Sequence, residues 1–207
     1  MKGDERKKQI LDAALKAFAE YGYERTSIAV ICEKAGIARP TLYQYFKDKR
    51  SLFRELLEGY LLGFHKRIHA WHATEDRGNR LSRRETMNSL HLEMLNEASR
   101  NRDLFTIFSK EAKARNAETE DIVRGIYGAI VSEFVGEMES EPTAAGIDKK
   151  VLEFAAVYML GGTMQAIEYF LFGSEEKMTK EELAEMITMI ESRISGIDVH
   201  DGMKPGG

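Results

Sequence analysis

The sequence predicts an all-α protein. Apolar residues recur at three- and four-residue spacing along most of its 207 residues, no alternating apolar–polar run bounded by turn residues stands out, and three prolines leave little room for a proline-rich linker. The first helix is expected over about 5–21, where Ile10, Ala14, Phe18 and Tyr21 form one stripe and Gly22 supplies a stop. Thr26 then offers a hydroxyl to cap a short second helix that buries Ile28, Ile31 and Ala35 and ends at Gly36. A third helix is expected from Arg39 to Phe46, with Pro40 in its first turn, where a missing N–H does no harm. Asp48 caps a fourth, long helix over 49–72, along which Phe53, Leu57, Tyr60 or Leu61, Phe64, Ile68 and Trp71 share a face.

After a polar break from Thr74 to Ser82, helices are expected near 83–100, 103–114, 119–139, 148–172 and 179–195. Pro142 and Gly146 mark one gap and Gly173 to Thr179 another. The expected organisation is a head over 1–48, a helical body over 49–200 and a frayed tail over 201–207.

Composition narrows the class. At 43% hydrophobic and 31% charged, the chain reads as a soluble globular protein. The lone Cys32 permits neither an internal disulfide nor a paired-cysteine zinc site, and no signal-peptide pattern opens the sequence, so a cytoplasmic location is expected. The apolar run from Val151 to Phe172 is interrupted by Glu153, Gln165 and Glu168, which reads as a buried helix and not a membrane span. Net charge is −4, but unevenly spread. Residues 1–54 carry 12 Lys and Arg against 7 Asp and Glu, a balance of +5; the remainder carries 18 against 27, a balance of −9. A basic head joined to an acidic body points to a head that meets a polyanion.

Two short helices around the Gly36 turn form a helix-turn-helix pattern, in which the second helix enters the major groove of DNA. In the run from Ala38 to Lys49, Leu42 and Phe46 face inward, leaving Arg39, Thr41, Tyr43, Gln44, Tyr45 and Lys47 on the surface. Hydroxyl and ammonium groups suit phosphates, while Arg39 can fork onto guanine, Gln44 onto adenine, and Thr41 can bond a base edge or touch a thymine methyl.

The run from Ile10 to Leu57 resembles the TetR family of bacterial transcriptional regulators. The likeness is carried by ILDAALKAFAEYGYERTSI, by the Ala35-Gly36-Ile37 turn and above all by TLYQYFKDKRSLF. It implies a DNA-binding head of three helices, linked by the fourth to an effector-binding domain that dimerises. It also implies phosphate contacts from Tyr43, Tyr45 and Lys49, base-edge approach by Arg39, Pro40, Thr41 and Gln44, and a backbone-adjacent cap at Thr26. Departures from the family pattern are Ala38 where a hydroxyl cap is usual, Ala29 where a polar residue is frequent, Tyr45 in place of His, and Cys32, read as core packing.

One recognition helix makes too few contacts for specificity, so a homodimer on a pseudo-palindromic operator is expected. Leu152, Ala155, Ala156, Met159, Gly162 and Thr163, with Leu183, Met186, Ile187, Ile190 and Ile194, are the expected interface. Phe64, Trp71, Met94, Phe105, Phe108, Tyr127 and Met164, with Gln165 and Glu168 as polar members, are the expected lining of a largely apolar effector pocket. His65, His69 and His72 share a helical face, with His91 as the fourth residue to test, but the stripe flanks an apolar one and no metal or cofactor is assigned. The chain has no Glu-x-x-His, no His-Glu-x-x-His, no P-loop, no dinucleotide glycine fingerprint and no Gly-x-Ser-x-Gly, so the expected function is ligand-responsive transcriptional regulation, a repressor without catalytic residues.

Overall fold

The computed structural model describes residues 3–75, 83–140, 145–173 and 178–195. Among them the chain forms helices and no strand: α1 (Gly3–Tyr21), α2 (Ile28–Ala35), α3 (Arg39–Tyr43), α4 (Lys49–Glu75), α5 (Arg83–Arg100), α6 (Arg102–Ala114), α7 (Glu120–Ser140), α8 (Lys149–Ala166) and α9 (Lys180–Ser195). A π-helical turn, Ile167–Leu171, extends α8. The chain divides into two compact units, one of Met1–Gly63 with Asn101–Ile130, the other of Phe64–Arg100 with Val131–Gly207.

In the first unit α1 packs on α2 and on α6. Its core takes Ile10, Ala14, Ala17 and Phe18 from α1, Ile31 and Ala35 from α2, and Leu52, Phe53 and Leu57 from α4. Leu42 and Phe46 are buried with them. At the centre, Tyr23 stacks on Phe18 with ring centroids 5.6 Å apart and meets Phe53 edge-on at 4.9 Å. Such aromatic pairs add about 0.5–1.5 kcal/mol each beyond area burial.

Local chemistry sets the turns. Gly36 sits in the left-handed region at φ +61°, and the Ile37 N–H returns to the Cys32 carbonyl at 3.0 Å, closing the end of α2. The expectation that Thr26 caps α2 is corrected: the cap is Ser27, extended at φ −108°, whose hydroxyl accepts from the Val30 N–H. Thr26 points the other way. It is 1% exposed, with its hydroxyl 2.7 Å from the Gly22 carbonyl and 3.1 Å from the Ala17 carbonyl, so it fastens the α1–α2 connection from inside.

The third helix is also shorter than the sequence predicts. It spans Arg39–Tyr43, after which Tyr45 and Phe46 both direct their N–H groups to the Leu42 carbonyl at 3.0 Å. Ala38 provides no side-chain cap, so α3 lacks that support at its start. At its other end, Asp48 opens α4: its carboxylate accepts from the Ser51 N–H at 2.7 Å while the Ser51 hydroxyl accepts from the Asp48 N–H at 3.1 Å.

In the second unit α5 and α9 pack along a seam of Leu95, Leu183, Ala184 and Ile187. His91 lies within it, Nδ1 2.8 Å from the Thr188 hydroxyl and Nε2 2.9 Å from Glu191 Oε2. Val135 of α7 clusters with Leu152 and Ala156 of α8.

Two stability predictions follow from these turns. Gly36→Ala forces a side chain into positive φ and is expected to cost about 1–2 kcal/mol in denaturant unfolding, although nothing lies within 4 Å of the added methyl. Thr26→Val keeps the shape but removes the hydroxyl from two carbonyls, and is expected to cost about 1–3 kcal/mol by the same measurement.

Candidate nucleic-acid interface

The surface around α3 is built on a buried pair and an exposed rim. Leu42 and Phe46 are 0% and 3% exposed, and they hold the recognition turn to the head. Lys7, paired with Glu55 at 2.6 Å, lies 5.7 Å from the centroid of the Phe46 ring and covers its outer side. Around this anchor Arg39, Pro40, Tyr43, Gln44 and Lys47 are exposed, and Thr41 and Tyr45 are half-buried. Tyr43 is 53% exposed, a large ring that the fold itself does not use. Arg39 and Lys47 enter no ion pair with another described residue, so both cations face outward uncompensated.

Two expected members stand apart from this surface. Thr26 is sealed in the core and has no face to offer a phosphate. Ser27, which the sequence reading passed over, is the exposed hydroxyl at the start of α2. Lys49 is half-buried, and its Nζ donates to the Tyr23 carbonyl at 3.0 Å, 4.1 Å from the Tyr23 ring centroid. Cys32 is 5% exposed and burial pushes its thiol up, away from thiolate character.

The head is tied to the α6–α7 corner within the same unit. The Tyr23 hydroxyl donates to Glu118 at 3.1 Å, Arg50 Nε donates to the Glu118 carbonyl at 2.8 Å, and Arg50 and Arg54 both meet Asp121, at 2.5 and 3.4 Å. Burial, and then the Glu118 hydrogen bond, push the Tyr23 phenol far up, so it remains a donor. The Arg50 hydrogen bond holds the Asp121 carboxyl below its ordinary value, keeping it charged. No local periodicity announces these contacts.

The expected effector-pocket residues fall in both units. Phe105 and Phe108 are buried and Tyr127 is half-buried in the first; Met94, Met164 and Glu168 are half-buried and Gln165 is exposed in the second. The side chains of Phe64 and Trp71 lie outside the described residues, as do those of His69 and His72. His65 is 2.8 Å from Glu133, and His91 is held by Thr188 and Glu191, so the two described histidines of that expected set are engaged at separate carboxylates.

The expected dimer face needs a correction of register. Leu152, Ala156, Thr163, Leu183 and Ile187 are buried in their own unit and have no surface to give a partner. Ala155 and Met159 are half-buried, Gly162, Met186 and Ile190 are exposed, and the Ile194 side chain lies outside the described residues. The apolar face that α8 leaves open is instead Val151, Phe154, Val157 and Tyr158, at 56%, 71%, 44% and 64% exposure, with the Phe154 and Tyr158 rings stacked at 6.4 Å. Large apolar side chains exposed side by side are a feature of interaction surfaces.

Residues 10–56 match the family model described as bacterial regulatory proteins, tetR family. Among curated relatives, the uncharacterized HTH-type transcriptional regulator YhgD of Bacillus subtilis is 33% identical over 31% of this chain and 41% of its own. The HTH-type transcriptional repressor ComR of Escherichia coli is 47% identical over 25% of this chain and 24% of its own. These matches therefore span about two fifths of the first relative and about a quarter of the second. Solved structures match along nearly the whole chain. A putative TetR-family regulator from Syntrophomonas wolfei covers 94% of this chain and 97% of its own with TM-score 0.75 at 21% identity. FadR from Bacillus subtilis, solved with stearoyl-CoA, covers 88% and 95% with TM-score 0.69 at 19% identity. The match over residues 10–56 identifies a head of the type found in the tetR family of bacterial regulatory proteins, and the structural likenesses establish that the chain as a whole has the fold of those solved structures.

Proposed function

We propose that the chain is a ligand-responsive transcriptional repressor that binds a pseudo-palindromic operator as a homodimer and is released by a small-molecule effector. The observation that carries this reading is the rim of exposed Arg39, Tyr43, Gln44 and Lys47 around the buried Leu42 and Phe46. In it, Tyr43, Tyr45 and Lys47 hold phosphates, Arg39, Thr41 and Gln44 read base edges, and Ser27 adds a phosphate contact from α2. Pro40, without an N–H, keeps the base-facing turn in helical φ.

Dimerisation belongs to the open face of α8, with Met186 and Ile190 of α9 continuing it. A second copy, related by a twofold axis, covers these side chains and sets two recognition surfaces one helical turn apart on the duplex. The effector is largely apolar, in keeping with the aromatic and methionine content expected to hold it. The stearoyl-CoA bound to the Bacillus subtilis FadR makes long-chain acyl compounds the first to screen. An effector that binds one conformation better than the other lowers operator affinity by that difference and no more.

Selection of bound fragments from random DNA tests the reading; recovery of no common sequence overturns it. On the selected operator, Arg39→Ala is expected to lose about 1–3 kcal/mol and to relax preference at one base pair per half-site, whereas Tyr43→Phe weakens operator and random DNA alike. Equal losses on both DNAs for Arg39→Ala would contradict its base-reading role. Phe154→Glu places a charge in the proposed interface and is expected to give a monomer in sedimentation, with a large loss of operator affinity; an unchanged dimer would move the interface elsewhere.

A further inference from the structure

We propose that Lys49 is a positioning residue for the DNA-contacting turn and not a phosphate ligand, an inference that rests on the DNA-binding reading of the same head. Its ammonium is already committed. It donates to the Tyr23 carbonyl at 3.0 Å, lies 3.5 Å from the Glu24 carbonyl and sits 4.1 Å from the centroid of the Tyr23 ring. An ammonium has three N–H groups, and two carbonyls and an aromatic face use them.

The platform beneath it does not yield. Tyr23 is 1% exposed, stacked on Phe18, edge-on to Phe53 and hydrogen-bonded through its hydroxyl to Glu118. Lys49 is the first residue of α4, three positions after Phe46, and the Asp48–Ser51 box fixes the backbone on either side of it. Holding Nζ on Tyr23 and Glu24 therefore ties the end of the recognition turn to the α1–α2 connection, so the two ends of the helix-turn-helix are fastened through one side chain. Reaching a phosphate would require leaving the ring and both carbonyls. Lys47, two residues earlier and exposed, makes no ion pair with a described residue and gives up nothing to reach one.

The two roles differ in salt dependence. A cation that neutralises a phosphate adds about −0.9 to the slope of log affinity against log salt, so a symmetric dimer that loses one per subunit changes its slope by about 2. The full chain is titrated with its selected operator and with random duplex across a series of NaCl concentrations, at a temperature where circular dichroism shows every variant folded. Lys47→Met is expected to flatten the slope by about 2. Lys49→Met is expected to weaken both DNAs about tenfold with the slope unchanged, and Lys49→Arg, which keeps a cation over the ring, to restore most of the loss. Lys49→Gln, whose amide still donates to the carbonyls, covers the case in which the Met variant does not fold, and its slope is also expected to match the wild type. A slope flattened by Lys49→Met or Lys49→Gln as much as by Lys47→Met overturns the proposal.

Failure of the wild type to bind any duplex would sink the DNA-binding reading separately. The contact itself is then judged without DNA by a thermal-unfolding cycle of Lys49→Gln and Tyr23→Leu. Coupled losses support the fastening of Lys49 to the ring, and additive losses overturn it.

Discussion

A five-residue helix cannot hold itself together in water, and the whole head follows from that constraint. Isolated helices of this length do not repay the cost of nucleation, and α3 also lacks a side-chain cap at Ala38. Its position comes from outside: Leu42 and Phe46 sunk into the head, the Gly36 turn before it and the Asp48–Ser51 box after it. A surface presented this way is rigid because its underside is core. Positioning by neighbours also leaves the exposed residues free to vary without loss of the fold.

Much of this was legible in the sequence. Three- and four-residue spacing located every helix from α1 to α9, and Gly36 and Asp48 carried their own physical reasons as a left-handed turn and a helix cap. The misreadings are equally physical. Thr26 and Ser27 are adjacent hydroxyls, and a cap can be assigned to either until the backbone shows which is extended; the other then goes inward. On α8 the small residues Ala155, Ala156 and Gly162 suit close contact with any neighbour, and a helix apolar on two faces does not announce which one its own unit covers. The shortening of α3 turned on backbone hydrogen bonds at Leu42 that no spacing encodes.

The division into units was the least legible feature. The sequence suggested a boundary at residue 48, from the change in charge and the start of the long helix. In the fold, residues 101–130 belong with the head, joined through Glu118 and Asp121 to Tyr23, Arg50 and Arg54. Those partners are separated by 67 to 95 positions along the chain. Local patterning cannot see a contact of that range. Arg50 and Arg54, which raise the positive count of the head, are therefore partly spent inside its own unit, whereas Arg39 and Lys47 lie exposed around α3.

Burial of Cys32 has a practical consequence. Because this is the chain's one cysteine and its thiol is both covered and held protonated, maleimide-type reagents have no ready target on the folded native protein. A cysteine introduced at any exposed position would take a fluorophore or spin label alone, without first replacing the native one. The surroundings of the labelled position can then be followed in the folded protein, with its core chemistry undisturbed.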